Sequence, residues 1–332
     1  MAKTTNYIGA GASDNWSEAA NWSLGVPDTG DTLVFGVSAR YNSINDLAAD
    51  KVFEKISFAA QPAAHTISGN RIEITLEMTA PQNFSNDIQL ALIFNNAIAL
   101  KGNLGYCKIS GLITGNGSII KDGTSTWQLT NDNNSFSAQS EIKRGRLIVT
   151  SIKNVGLNSA LGNPPTAAAG LIKIAAAGAA YLEYVGAADT TTDRIIELMS
   201  ITPWQIHFVQ NGAGKLVFTS SIVDNTATNK TLILEGTGAG TAEIRGIIPN
   251  PTAGSNDIVK NDAGTWLLTS IFNRYTGGDT INAGTLTHTP DFLQIAISGA
   301  WKTVASAFIA QAGTWKEITN PYTVISNAMK LV

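Results

Sequence analysis

The groups with which this chain could do chemistry are few: three histidines, one cysteine and 25 acidic residues among 332. His65, His207 and His288 stand far apart, and none forms a pair with metal-ligand spacing. His207 lies in Trp204-Gln205-Ile206-His207-Phe208-Val209, whose alternation reads as a strand carrying a structural or surface histidine. His288 precedes Thr289-Pro290 and reads as a solvated linker residue. Cys107 is alone, so neither an intrachain disulfide nor a cysteine metal cluster can form. Glycoside hydrolysis needs two carboxyl groups roughly 5 to 9.5 Å apart. Three pairs invite the test: Glu73 with Glu77, Asp189 with Asp193, and Glu235 with Glu243. Glu73 and Glu77 sit on one face of one strand, about 13 Å apart, which is too far. Asp189 and Asp193 flank a Thr-rich turn, where Asp serves to cap backbone N–H groups. Gly236-Thr237-Gly238-Ala239-Gly240 has the look of a phosphate loop, but a strand-like run follows it where a helix N-terminus is required. No catalytic, cofactor-binding or metal-binding residue is expected, and the chain reads as non-enzymatic, although a glycan-cleaving site shared between subunits stays open.

The elements that would carry these residues are strands. Hydrophobic residues make up 44% of the chain and charged residues only 14%, well under the ~25% usual for soluble domains. Asn, Thr, Ser and backbone must therefore form much of the surface. Arg71 to Thr79 alternates polar and apolar residues, and short runs of the same kind occur at 32–35, 88–94, 147–150, 216–219 and 232–235. Clusters of Gly, Asn and Asp separate them as turns. The net charge of −3, with no basic run, argues against nucleic acid as a partner. No window is long and apolar enough for a membrane span, and Met1 to Asn6 lacks the basic-then-apolar pattern of a signal peptide.

Internal repetition is the most informative feature. Residues 119–147 align without a gap on residues 258–286. The alignment matches Lys121 with Lys260, Trp127 with Trp266, Leu129 with Leu268, Asn134 with Asn273, Gly145 with Gly284 and Leu147 with Leu286. Trp and aliphatics stacked inward, with Gly at the corners, suit neighbouring rungs of a solenoid. A second repeat lies near the C-terminus, where Trp301-Lys302, Trp315-Lys316 and Met329-Lys330 stand 14 residues apart. Two Asn-Trp-Ser copies, at Asn15 and Asn21, precede a Pro-Gly-Asp turn and suit a cap over the first rung.

The run Gly264-Thr265-Trp266-Leu267-Leu268-Thr269, continued by Asn273 through Leu286, resembles the passenger-associated repeat of autotransporter-type proteins. Trp16 to Phe35 is similar to the segment that often precedes such repeats. The resemblance implies an all-β chain folded as a right-handed parallel β-helix. Residues 1–30 would form the cap, 31–287 a solenoid body of roughly a dozen rungs, and 288–332 a small β module. The Gly-x-Trp-Lys ending, with no signal peptide expected, resembles phage virion proteins. The leading expectation is therefore a structural protein of a phage virion surface (a fibre, spike or capsid decoration) made in the host cytoplasm. It would act as a homotrimer with other virion proteins and a host glycan as partners. Trp301, Lys302, Trp315 and Lys316 are the candidate attachment residues. The alternatives are a bacterial cell-surface adhesin and a polysaccharide-degrading tailspike.

Overall fold

The computed structural model describes residues 1–80, 85–200, 202 and 204–288, together with four short strands between 294 and 317. Among the described residues the regular structure is strand throughout, apart from one 3-10 turn at Ala19–Asn21. Up to residue 288 the strands of each sheet pair in parallel, coil upon coil, as a β-solenoid. The arrangement is consistent with a right-handed β-helix, the hand that parallel crossovers nearly always take. The first and second sheets each hold 11 strands and the third holds five. Eleven coils at about 4.8 Å each make a rod roughly 50 Å long.

The strands follow from alternation. Gly145–Val149, Asn256–Lys260 and Thr126–Leu129 each bury every second residue, which points inward onto the stacked core. Trp127 and Trp266 are wholly buried, as their alternation predicts. Trp16 and Trp22 are buried with Tyr7, Phe35 and Phe53 in an aromatic cluster under the first coils. The ladder itself begins at Thr4–Tyr7, which pairs in parallel with Thr32–Phe35. Two strand readings change. The run from 71 to 79 does not alternate strictly, because a bulge between Phe53 and Lys55 shifts the register beside it. Leu76 is thereby turned out to 44% exposure. The run from 88 to 94 is two strands, Ser85–Ile88 and Leu92–Ile93, with a corner between them.

Each coil must turn sharply where the coil before it turned, and the repeat residues make this possible. The Lys121 side chain is fully buried, and its Nζ donates to the carbonyls of Asp122 (3.0 Å), Gly123 (2.7 Å) and Arg144 (3.2 Å). The last of these belongs to the next coil. Lys260 repeats the arrangement with Asn261, Asp262 and Ala283. Burial pushes the Lys121 amine down to about 7, against three carbonyls that match the three N–H bonds of an ammonium. Trp127 Nε1 donates to Lys101 O (3.0 Å) and Trp266 Nε1 to Glu235 O (2.9 Å), each one coil back. Asn134 and Asn273 likewise accept the N–H of Ile113 (2.8 Å) and Ile248 (2.9 Å). A Cβ at Gly145 would lie 2.2 Å from Gly123 O and 2.8 Å from Lys121 Nζ, so only glycine fits there.

The cross-section changes part-way along. Arg146 pairs with Thr126 one coil back, 20 residues away, but with Tyr181 one coil on, 35 residues away. The extra chain, residues 150–171, is pinned by the buried Arg194. Its Nε donates to Gly170 O (2.8 Å) and its Nη1 to Leu161 O (2.6 Å). The third sheet begins beside this insertion at Thr190–Thr192, and the first sheet ends at Ile196–Leu198.

Beyond residue 288 the pairing is antiparallel. Gln294–Ile297 pairs with Ala300–Thr303, and Phe308–Gln311 with Thr314–Glu317. Trp301 stands opposite Ala296 and Lys302 opposite Ile295; Trp315 and Lys316 stand opposite Ala310 and Ile309. The 14-residue period is thus the period of a two-stranded hairpin. Its third copy, Met329-Lys330, lies outside the described residues.

Replacing Lys121 by Met leaves three buried carbonyls without their donor. It is expected to cost about 3 kcal/mol, read as faster amide exchange in the strands around 119–149. The control Lys143→Met, at a partly exposed site, should change stability by less than about 0.5 kcal/mol.

Candidate functional site

The outer face of the second sheet, from Arg146 to Asn282, joins polar and aromatic side chains from successive coils. Parallel pairing puts Arg146, Tyr181, His207 and Ile233 in one column, and Ile148, Glu183, Val209 and Glu235 in the next. The Arg146 guanidinium lies 4.6 Å from the centre of the Tyr181 ring. That ring stacks on His207 at 3.9 Å and 20°. Nδ1 of His207 is 3.1 Å from Glu235 Oε2. Asn261 donates to the other oxygen of Glu235 and accepts in turn from Asn282 at 2.8 Å. Glu183 takes Arg146 on one oxygen and Asn211 Nδ2 (2.8 Å) on the other. The result is a ladder of cross-coil hydrogen bonds over six successive coils of the sheet.

Val209 and Ile233 of these columns, and Val217 of the third sheet, are at most 4% exposed, yet they lie outside the inner core cluster. On the third sheet, Glu243 is gripped by Arg245 (2.7 Å), by Lys215 and by Thr269 (3.0 Å). The Arg245 hydrogen bond is the largest influence on Glu243; burial opposes it, Lys215 and Thr269 assist, and the carboxyl falls to about 2. Burial also disfavours ionisation of Glu235, but His207 and Asn261 outweigh it and hold the group below its ordinary value.

The predicted carboxylate pairs are accounted for individually. Glu77 lies between Lys101 (2.7 Å) and Lys55 (3.3 Å), which overcome burial and keep it ionised. Glu73 pairs into a different ladder, opposite Ile93. Asp189 and Asp193 accept the N–H groups of Lys215 (2.8 Å) and Val155 (2.8 Å), as turn carboxylates do. Glu235 and Glu243 stand on different sheets, each with cationic or amide partners of its own. A general acid needs a raised pKa, and the shifts at Glu77, Glu235 and Glu243 all run the other way. His288, read as a solvated linker residue, is instead half-buried at the end of a strand, with Nε2 2.8 Å from Asp279 Oδ2. The Gly236–Gly240 segment is a corner: Gly238 N donates to Gln210 O and Gly240 N to Gly212 O, both at 3.1 Å. Among the described residues no group of three His, Cys, Asp or Glu could hold a metal ion. Trp301, Lys302, Trp315 and Lys316 lie in the hairpin strands, opposite Ala296, Ile295, Ala310 and Ile309.

Sequence reading missed this face because its members come from six coils with no shared motif. It also missed a third repeat copy. Gln210-Asn211-Gly212-Ala213-Gly214-Lys215-Leu216-Val217-Phe218-Thr219 follows the Lys260 to Thr269 pattern, with Gln for Lys and Leu for Trp. Gln210 performs the lysine's task by donating to Gly214 O (2.7 Å) and accepting from Gly212 N (3.2 Å).

Three segments, 119–149, 208–237 and 258–287, match the family model described as Passenger-associated-transport-repeat. The chain is also 32% identical over 187 residues to the "Adhesin BmaC autotransporter" of Brucella suis biovar 1 (strain 1330). That stretch covers 54% of this chain and 5% of the relative's length. No solved structure matches. The similarity supports the surface-adhesin alternative rather than the virion reading, which nothing in the comparisons supports.

Acid titration tests the electrostatics of the third-sheet carboxylate. The Glu243 carboxyl is depressed, so its contribution is present above its ordinary value of 4.5 and is lost as pH falls towards about 2. Glu243→Gln should therefore lower stability at pH 7 by about 1 kcal/mol, a figure discounted for the exposure of Arg245 and Lys215. The difference from wild type should vanish near pH 2, measured by urea unfolding at both pH values.

Proposed function

We propose that this chain is a non-catalytic, adhesin-like β-helix of a bacterial cell surface, with the second-sheet face from Arg146 to Asn282 as its contact surface. The observation that carries the reading is the threefold passenger repeat, within a parallel solenoid, in a chain similar to an autotransporter adhesin over 187 residues. Physical features agree with it. A stacked coil can be lengthened without altering its neighbours, which suits a rod that holds a binding face away from a membrane. The face itself carries a stacked Tyr–His pair, amides and paired charges, and host-surface glycoconjugates offer matching hydroxyls and sugar faces. Its carboxylates are engaged by cations and amides, which supports binding without hydrolysis.

Beads coated with the chain should adhere to host epithelial cells, and periodate treatment of the cells should reduce that adhesion. Tyr181→Ala combined with His207→Ala should lower adhesion at least fivefold with an unchanged circular dichroism spectrum. Equal adhesion by the double variant would remove this face from the proposal. Release of reducing sugar from the treated surface would overturn the non-catalytic part. Sedimentation of the full chain decides between a monomeric rod and the expected homotrimer.

A further inference from the structure

Inside the coils that follow the insertion lies a cluster that neither stacking nor the outer face employs. Lys230 and Asp224 are an ion pair with both side chains at 0% exposure. The Lys230 Nζ lies 3.0 Å from each Asp224 oxygen, donates to Thr228 O at 3.0 Å and also reaches the Thr226 hydroxyl. Asn256, likewise fully buried, donates its Nδ2 to Asp224 Oδ2 at 3.1 Å and to Pro249 O at 2.8 Å. Its carbonyl oxygen Oδ1 is buried with no hydrogen-bond partner. Lys230 and Asn256 are direct register partners on adjacent parallel strands. An amine, a carboxylate and a primary amide thus share one dry pocket, and the amine and amide nitrogens touch the same carboxylate oxygen.

We propose that Lys230 and Asn256 are joined by an intramolecular isopeptide bond formed with Asp224 as proton carrier. Burial makes the ionised pair costly, so passing the ammonium proton to the Asp224 carboxylate frees the lone pair of a desolvated amine. That lone pair attacks Asn256 Cγ, held beside it by the register of the two strands. The Nζ–Cγ bond forms, the Cγ–Nδ2 bond breaks, and Asp224 carries the second Nζ proton to the leaving nitrogen. Nitrogen departs as ammonium and Asp224 returns to its carboxylate, so the step needs neither oxidant nor activated co-reactant. The product ties one coil covalently to the next and closes a loop that would otherwise open on unfolding.

Intact-mass measurement of the denatured full chain, followed by tryptic mapping, tests this directly. The expected result is a mass lower than that of the sequence by one ammonia. It should come with a branched peptide linking Lys230 to Asn256 and no tryptic cleavage after Lys230. Lys230→Arg and Asn256→Ala should each restore the full mass. Asp224→Asn should do so as well, although both joined residues are still present. A wild-type chain at its full sequence mass, cleaved after Lys230 and yielding a linear peptide with unmodified Asn256, overturns the proposal whether or not any variant folds.

Discussion

Everything in this solenoid depends on its corners. A parallel ladder satisfies the backbone along a strand, but between strands the chain must turn in a few residues and leaves carbonyls pointing into a stack with no water. Lys121 and Lys260 answer this by placing an ammonium where three carbonyls converge, one of them from the following coil. The same bond that closes a corner therefore fixes the spacing and register of the next one. Gly145 allows the approach, because any side chain there would meet Gly123 O and the lysine itself. Asn134 and Asn273 do the corresponding work for the N–H side of the account. With the corners set, inward alternation needs only to supply residues of suitable bulk, which explains why Trp127 and Trp266 can stand where Leu216 stands in the middle copy.

A corner module of this kind is local, and the protein uses that property. The copy at 119–149 joins the first sheet to the second, whereas the copies at 208–237 and 258–287 join the second to the third. The sequence unit is therefore a strand–corner–strand device rather than one particular side of the rod. The change of corner coincides with the insertion at 150–171, which Arg194 pins at the point where one sheet ends and another begins. Arg194 keeps a charge there despite burial, which lowers its pKa only to about 10. A fixed positive charge against carbonyl oxygens at that junction parallels what the lysines do at ordinary corners.

The architecture was largely legible in the sequence because a solenoid writes its period into the chain. Trp127 on Trp266 and Lys121 on Lys260 announced equivalent corners, and alternation placed both tryptophans inside. What escaped notice had physical causes. Gln210 can bond corner backbone groups as lysine does, so the middle copy kept its structure while losing the letters that mark it. Leu76 faces solvent because a bulge, which depends on the neighbouring strand, resets the alternation. The outer-face ladder of Arg146, Tyr181, His207 and Glu235 could not be read, since its residues become neighbours only through coil lengths of 35 and 26 residues. The 14-residue Trp-Lys period was visible, but its meaning as a hairpin required the pairing of Ile295 with Lys302 and of Ile309 with Lys316.

The inside and the outside of the coils follow opposite logics. Inside, Lys121 and Lys260 are each consumed by the backbone acceptors of their corners, so the interior is specific about register. Outside, charges are paired across coils, with Arg146 on Glu183, His207 on Glu235 and Lys215 on Glu243, so a carboxylate seldom faces solvent alone. Such pairing costs little when a coil is added or removed, because each partner lies one coil away and the pattern simply continues. A stacked rod combines both properties: an interior that admits one stacking register, and an exterior whose side chains can vary coil by coil without disturbing it.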